Sequence, residues 1–551
     1  MTQVVPTPTS QHEFGSHEWI EQTIRTVPLH RLFAERRREF SNHDAAGEAG
    51  VKITYEDLDH AVDKMAAKLL QAGVKPGDRV SLMGPPGIEF LVTFLATISV
   101  GGVWLGLNSR YTTSELEHII QDGAPKVVLE ASSLNEEQRS ALRAAVPRGT
   151  QQFSDFLGLT VAEIPGNNEP EHNPELEAVR DSLDVSIPAA LFYTSGTTGK
   201  PKGALANAAA LARIALHQTS EWADGHPRTI ANLPINHTGC VGDLVSVFQY
   251  ATGYMRFIDG FDVEETVSAI VEDDINALFQ VPMQLIGLTR HPHFAEIARK
   301  QLTMIGWGGA ALPVKLVEFF SSFNPRMVIG YGSSETVASI STTPEDTTIE
   351  QLANTVGVPD PGFDMHLLLD DGTTVPVAEA QGLTGEVLVK HWTFLPEYLH
   401  NPQATAETYT EDGYLKMGDV GSIREDGYLS LVGRTKEVFK SGGYNVYPKE
   451  VEIALEQHPL VRLAAVVRRP DPTYSEVGVA FIELDSKQPS EDKTEELVNE
   501  LKAHSKTLLA NYKVPKNFVF VEELPKLATG KIDKVSLGAE AQKLTTDGTV
   551  N

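Results

Sequence analysis

Cysteine is all but missing from this chain of 551 residues: Cys240 stands alone. A single thiol excludes an intramolecular disulfide and points to a reducing, cytoplasmic setting. Positive charge is short as well, with 46 Lys and Arg against 74 Asp and Glu, a formal net charge of -28. That balance argues against nucleic acid or an anionic membrane as the main partner, so any polyanionic ligand must be met by local lysines, arginines and backbone amides. No apolar run reads as an integral membrane segment. The nearest, residues 90–107 (FLVTFLATISVGGVWLGL), is interrupted by Gly101-Gly102, which predicts a buried helix, a turn and a buried strand. Residues 1–15 lack a basic stretch leading into an apolar core and are expected to form a loose terminus rather than a secretory signal.

What is present is the composition of a globular protein with more than one domain, 41% hydrophobic and 22% charged. Thr54 and Asp57 form a capping-box pattern, and Leu58, Ala61, Met65, Ala66 and Leu69 keep helical spacing until Gly73. Short strands follow at residues 80–83, 126–129 and 189–192. This alternation predicts an α/β class with a large multi-layer N-terminal domain of sheets and helices. Two polar, Pro-containing stretches, residues 164–174 and 341–348, read as linkers or surface excursions. After short strands and turns at 412–433 come a helix at 448–457, strands at 464–467 and 477–484, and a helix near 494–508, enough for a small α+β domain. The boundary is placed at Lys436, giving domains 1–435 and 436–551.

Directly after the strand at 189–192 the chain reads YTSGTTGKPKG, residues 193–203. A Walker loop needs a longer turn and a hydroxyl after its lysine; here Gly196 and Gly199 are too close and Pro201 follows Lys200. Anion binding still fits, because glycines permit turns that aim successive N–H groups at one anion while Thr194, Ser195, Thr197, Thr198, Lys200 and Lys202 add hydroxyls and charge. A solvated linker would have a similar composition, and the residue order separates the two readings. That order resembles the signature of the adenylate-forming superfamily, the acyl- and aryl-CoA synthetases, adenylation domains and firefly-type luciferases. The resemblance runs from about Thr54 to Ile532 through further motifs in the expected order.

By that resemblance, LPINHTG places His237 beside an acyl pocket to which Cys240, Val241 and Trp307 are expected to contribute, while Cys240 reads most simply as a buried, unreactive thiol and Trp307 equally as a core aromatic. His237 and Cys240 alone do not make a metal site, since no second pair at ligand spacing accompanies them. WGGAALP brings Gly308, Gly309 and Ala310 against adenine. GYGSSET assigns Tyr331 to stacking on adenine, Gly332, Ser333 and Ser334 to the nucleotide, with Ser334 on the α-phosphate in place of the usual Thr, and Glu335 to Mg²⁺. Asp419 and Arg434 would hold the ribose, Lys436 would be the hinge of a mobile C-terminal domain, and Ser441, Gly442 and Gly443 the loop along CoA, with Lys440 as a second-step candidate. PKLATGKID supplies the catalytic Lys531. Met417 stands where the family commonly has Thr, and no consequence follows from the sequence.

The resemblance implies a ligase that takes ATP, Mg²⁺ and coenzyme A, forming an acyl-adenylate and then an acyl-CoA. The acid expected is an aryl or medium-length monocarboxylate, because the pocket set offers no basic partner for a second carboxylate. Loading of a separate carrier protein is the alternative, and the glycine loop with the chain end soon after Lys531 favours free CoA. A luciferase-like oxygenase and a silent nucleotide sensor are further readings; Lys531, Glu335 and Asp419 together weigh against the sensor. A homodimer is expected only by base rate.

Overall fold

Thr54 and Asp57 do close a capping box, each side chain bonding the other's backbone N–H, and start the helix Tyr55–Gln71. The computed structural model describes residues 16–153, 161–166, 173–194, 201–222, 225–337, 339–395, 397–485, 491–526 and 532–544. The predicted helix–turn–strand reading of residues 90–107 holds: helix Ile88–Ser99 is buried on every side and strand Val103–Asn108 follows. Among the described residues no helix is long and apolar enough to cross a membrane.

The large N-terminal part is layered. A sheet of six strands runs in the order Gln151–Phe153, Val127–Glu130, Arg79–Gly84, Val103–Asn108, Pro188–Thr194, Lys202–Asn207. Its strands are parallel except for the last, which turns back antiparallel on Pro188–Thr194, so the glycine-rich loop spans a hairpin rather than feeding a helix as a Walker loop does. Four strands, Val51–Thr54, Asp44–Glu48, Tyr254–Phe257 and Arg228–Ala231, form a second sheet. Three parallel strands, Ala277–Gln280, Met304–Gly308 and Arg326–Gly330, present their C-terminal ends side by side, the edge where α/β sheets bind ligands. A five-stranded antiparallel sheet from Thr374–Pro376 to Leu429–Arg434 completes this part.

The stretch 341–348 is not the free excursion its polarity predicted. Ser341 and Thr343 are buried: the Ser341 hydroxyl donates to the Val356 carbonyl, and the Thr343 hydroxyl accepts from Ile329 N–H at 3.0 Å. Polar residues thus satisfy backbone groups at the end of the parallel sheet, where apolar ones would leave them unpaired.

The C-terminal part has its own sheet. Val461–Asp471 and Ser475–Leu484 form a long antiparallel pair; on the free side of Ser475–Leu484, Asn517–Val521 adds parallel, and Phe439–Ser441, itself paired with Tyr444–Val446, joins at Ser475. Helices Pro448–Glu456, Glu491–Leu508 and Lys534–Ala541 pack around it, which is the expected α+β composition. Lys436 lies exposed in the turn between the last strand of the five-stranded sheet and Phe439–Ser441.

Candidate active site

GYGSSET begins where strand Arg326–Gly330 ends and is shaped by its own hydroxyls. Ser333 Oγ accepts from Glu335 N–H at 3.2 Å, and Thr336 Oγ1 accepts from Ser333 N–H at 2.9 Å. Tyr331 is fixed at both ends: its N–H bonds Ser339 Oγ at 3.0 Å, and its hydroxyl donates to Asp419 Oδ2 at 3.0 Å. Burial and the Asp419 carboxylate hold that phenol protonated, well above the usual tyrosine range. Asp419 and Arg434 face each other across adjacent antiparallel strands, and Arg434 Nε reaches Asp419 Oδ1 at 2.7 Å. Three residues far apart in sequence therefore meet, with the buried carboxylate in the middle.

Glu335 is set by an element the sequence did not reveal. The segment around Tyr398 lies alongside strand Lys202–Asn207, with Leu205 N–H on the Glu397 carbonyl at 3.2 Å and Leu399 N–H on the Gly203 carbonyl at 2.8 Å. From there the Tyr398 hydroxyl donates to Glu335 Oε1, and Leu395 N–H donates to the Glu335 carbonyl at 2.9 Å. Burial and the neighbouring Glu335 carboxylate keep the Tyr398 phenol protonated, so it acts as the donor. Lys202 stands over the Tyr398 ring, 5.7 Å from its centre. Thr194 sits at the last position of its strand, paired with Lys202. Ser195, Gly196, Thr197, Thr198, Gly199 and Lys200, and also Lys531, lie outside the described residues.

A cavity of about 230 Å³ joins the two halves of the site. Gly308, Gly309, Ala310, Gly332, Ser333 and Ser334 line one end of its wall, and His237 with Tyr111, Asn236 and Asp243 line another. Gly309 has φ +80°, a left-handed conformation that a larger residue would strain, and a Cβ on Gly308 would stand 3.0 Å from the Gly330 carbonyl oxygen. His237 Nδ1 accepts from Gly239 N–H at 3.1 Å, which leaves the proton of the neutral ring on Nε2.

The expected acid wall needs correction at three positions. Cys240 and Val241 are fully buried in the large core, and Trp307 is buried in the core behind the parallel strands; none of the three lines the cavity. Cys240 and Val241 follow His237 in sequence, but they lie in a π-helix, Gly239–Ser246, that turns them inward and leaves Asp243 on the cavity. Burial pushes the Cys240 thiol far up, an inert group. Met417 is buried in the core of the five-stranded sheet.

The C-terminal part does not bring all its expected residues here. Lys440, Gly442 and Gly443 are exposed, Lys440 N–H bonds Glu476 Oε2 at 3.1 Å, and Ser441 is buried in strand pairing; none lines either large cavity. What the C-terminal part turns toward the large part is Arg462, Glu523 and Lys526, which share a second cavity of about 410 Å³ with Arg110, Gln284 and Arg290. A bridge between Lys526 and Ile532 brackets the segment that carries Lys531.

Residues 33–399 match the model of the AMP-binding enzyme family, and residues 450–531 that of the AMP-binding enzyme C-terminal domain. The chain is similar to a feruloyl-CoA synthase from an Amycolatopsis species, 31% identical over 506 residues, covering 91% of this chain and 96% of that enzyme. It is also similar to the long-chain-fatty-acid–CoA ligase FadD13 of Mycobacterium tuberculosis, 30% identical over 495 residues, covering 88% and 93% of the two chains. Among solved structures, ATP-bound MatB from Rhodopseudomonas palustris superimposes with a TM-score of 0.77 at 27% identity, over 93% of this chain and 99% of that one.

Proposed function

Since the chain belongs to the adenylate-forming family of AMP-binding enzymes, as an acyl- or aryl-CoA synthetase, we propose which acid it takes and which residues act. It is an ATP-dependent carboxylic acid:CoA ligase. The carboxylate attacks the α-phosphorus of ATP, giving acyl-AMP and pyrophosphate, and the CoA thiol then takes the acyl group and releases AMP. The observation that carries the assignment of residues is the single cavity wall that runs from Gly308–Ala310 and residues 332–334 to His237, where nucleotide and acid can meet.

In this reading Asp419 accepts the ribose hydroxyls, Arg434 holds Asp419 and the ribose edge, and Tyr331 is adenine's platform, anchored through its hydroxyl. Ser334 contacts the α-phosphate. Both reactants are anions, so charge must be offset where they approach. Lys200, Lys202 and the amides and hydroxyls of residues 194–199 serve the triphosphate, and Lys531 bridges the acid carboxylate and the α-phosphate. The position of Lys526 on the larger cavity supports that role for its near neighbour.

Mg²⁺ fits the donor set. Glu335 is a hard carboxylate whose Oε1 accepts from the Tyr398 hydroxyl while its main-chain carbonyl is tied to Leu395 N–H, and Mg²⁺ is commonly bound by one or two carboxylates plus substrate phosphates. Among the described residues no cluster of three or more His, Cys, Asp or Glu could hold a metal without such help. Bound at Glu335, the ion would offset negative charge on the triphosphate.

The acid we propose is an aryl or medium-length monocarboxylate. Among the described residues no Lys or Arg lines the 230 Å³ cavity, which supports an acid without a second carboxylate to pair there. A cytoplasmic setting belongs to the same proposal, supported by the single buried thiol. The test is pyrophosphate release with a panel of monocarboxylates, with and without CoA. We expect acid-dependent release and matching loss of free CoA thiol. Release without thiol loss, together with transfer to a phosphopantetheinylated carrier, would move the acceptor to a carrier protein.

A further inference from the structure

The acid end of the cavity is framed by a helix of rare geometry. Gly239–Ser246 is a π-helix, and Ser246 Oγ donates to the Val241 carbonyl five positions back at 2.8 Å. π-Helical geometry is rare, occurs mostly as single turns within α-helices, and is frequent at functional sites. Every residue of this one is buried except Asp243, which is of intermediate exposure and lines the cavity. Asp243 Oδ1 accepts from Gln218 Nε2 at 3.0 Å. Its Oδ2 lies 3.9 Å from the point where a Cβ on Gly239 would stand, and His237 Nδ1 lies 3.3 Å from the same point. The missing side chain of Gly239 thus leaves a space that His237 and Asp243 share.

The rest of the wall is rich in acceptors and, among the described residues, holds no lysine or arginine. Asn236 Nδ2 donates to the Tyr111 hydroxyl at 2.7 Å, which leaves Asn236 Oδ1 buried without a partner, and Gln280 Oε1 is likewise buried and unpaired. Unpaired buried acceptors cost free energy that a ligand carrying donor hydrogens recovers. Burial also pushes the Asp243 carboxyl up to about 7, with only the Gln218 bond opposing it. Among the described residues no ion pair accounts for a carboxyl at this position.

We propose that Asp243 selects the acid: the monocarboxylate this enzyme activates carries, at the end remote from its carboxyl, a hydroxyl or amino hydrogen-bond donor that Asp243 accepts. This rests on the acid:CoA ligase reading above and narrows it. An apolar tail would leave Asp243, Asn236 and Gln280 facing a ligand that pairs with none of them. A site with buried acceptors discriminates strongly against analogues that lack the donor.

The test uses the full chain and three ring acids that differ only at the far end: hydroxyl, aminomethyl and methyl. Adenylation kcat/KM is read by pyrophosphate release for the wild type, Asp243→Asn and Asp243→Leu, with Asp243→Ala replacing Leu if Leu does not fold. The wild type should prefer at least one donor-bearing acid over the methyl isostere by about tenfold or more. Asp243→Leu should bring that ratio close to one, a change that a purely structural role would not produce. Asp243→Asn keeps an acceptor without the charge, so it should retain a hydroxyl preference and lose an aminomethyl preference, which tells the two donors apart. Equal use of all three acids by the wild type, or a ratio that survives Asp243→Leu, overturns the proposal alone. If no acid releases pyrophosphate, the ligase reading falls and this inference with it.

Discussion

For the Mg²⁺ role proposed for Glu335, the carboxylate must be held in place without being neutralised, and the Tyr398 hydroxyl on Glu335 Oε1 is placed to do this. A lysine in that place would compete for the carboxylate, whereas a phenol kept protonated by burial donates one hydrogen bond and leaves the charge. Tyr398→Phe removes that hydrogen bond while keeping the ring beside Lys202. Losing a hydrogen bond to a charged group corresponds to ~1.5 kcal/mol or more, about tenfold in rate. Pyrophosphate release should fall by about that factor at low Mg²⁺ and recover partly as Mg²⁺ is raised, with the KM for the acid unmoved. An unchanged Mg²⁺ dependence would remove Tyr398 from this role. Tyr398 could not be read from the sequence, because its partner is 63 residues away and the contact depends on how residues 397–399 lie along strand Lys202–Asn207. Asp419 and Arg434 were legible, since the motif gave both and the antiparallel register made them neighbours.

Elements position the acid pocket through one close approach. Strand Val103–Asn108 holds the LPINH segment from below: Trp104 Nε1 donates to the Ile235 carbonyl at 3.0 Å, and Gly106 gives that carbonyl room. A Cβ on Gly106 would stand 2.4 Å from the Ile235 oxygen, with buried backbone on both sides. Gly106→Ala should therefore displace residues 233–237 and cost ~1–3 kcal/mol of stability. The functional sign is a raised KM for the acid with the KM for ATP unmoved, because the residues proposed for adenosine stand on other strands. Equal change in both would mean general loosening. The strand itself was visible as an apolar run after Gly101-Gly102, and so was the capped helix at Tyr55. The π-helix was not, because its period matches neither the helical nor the strand pattern, and so Cys240 and Val241 were expected on the wall where Asp243 stands.

At the scale of the whole molecule, the two halves of the reaction ask for different faces of the C-terminal part. Here Arg462, Glu523 and Lys526 face the large part, while residues 440, 442 and 443 are exposed and away from the cavity. This arrangement suits adenylation if, as proposed above, Lys531 serves the phosphates. It does not suit the thioester step in the reading that brings residues 441–443 to the acyl carbonyl; Gly442 and Gly443 hold φ of +59° and +89°, a left-handed bend that only glycine takes freely. The turn at 435–437 is the short connection about which such an exchange can occur. We propose Lys436 as the pivot. Proline there fixes φ and restricts Thr435 as well, whose N–H is already tied to the Gly418 carbonyl at 2.9 Å. Lys436→Pro should leave single-turnover formation of acyl-AMP within about twofold of the wild type. CoA-dependent consumption of pre-formed acyl-AMP should slow on the order of tenfold or more, the equivalent of ~1.4 kcal/mol on the reorientation step. Equal slowing of both half-reactions would place the pivot elsewhere, because a restraint on reorientation can act only on the step that needs it.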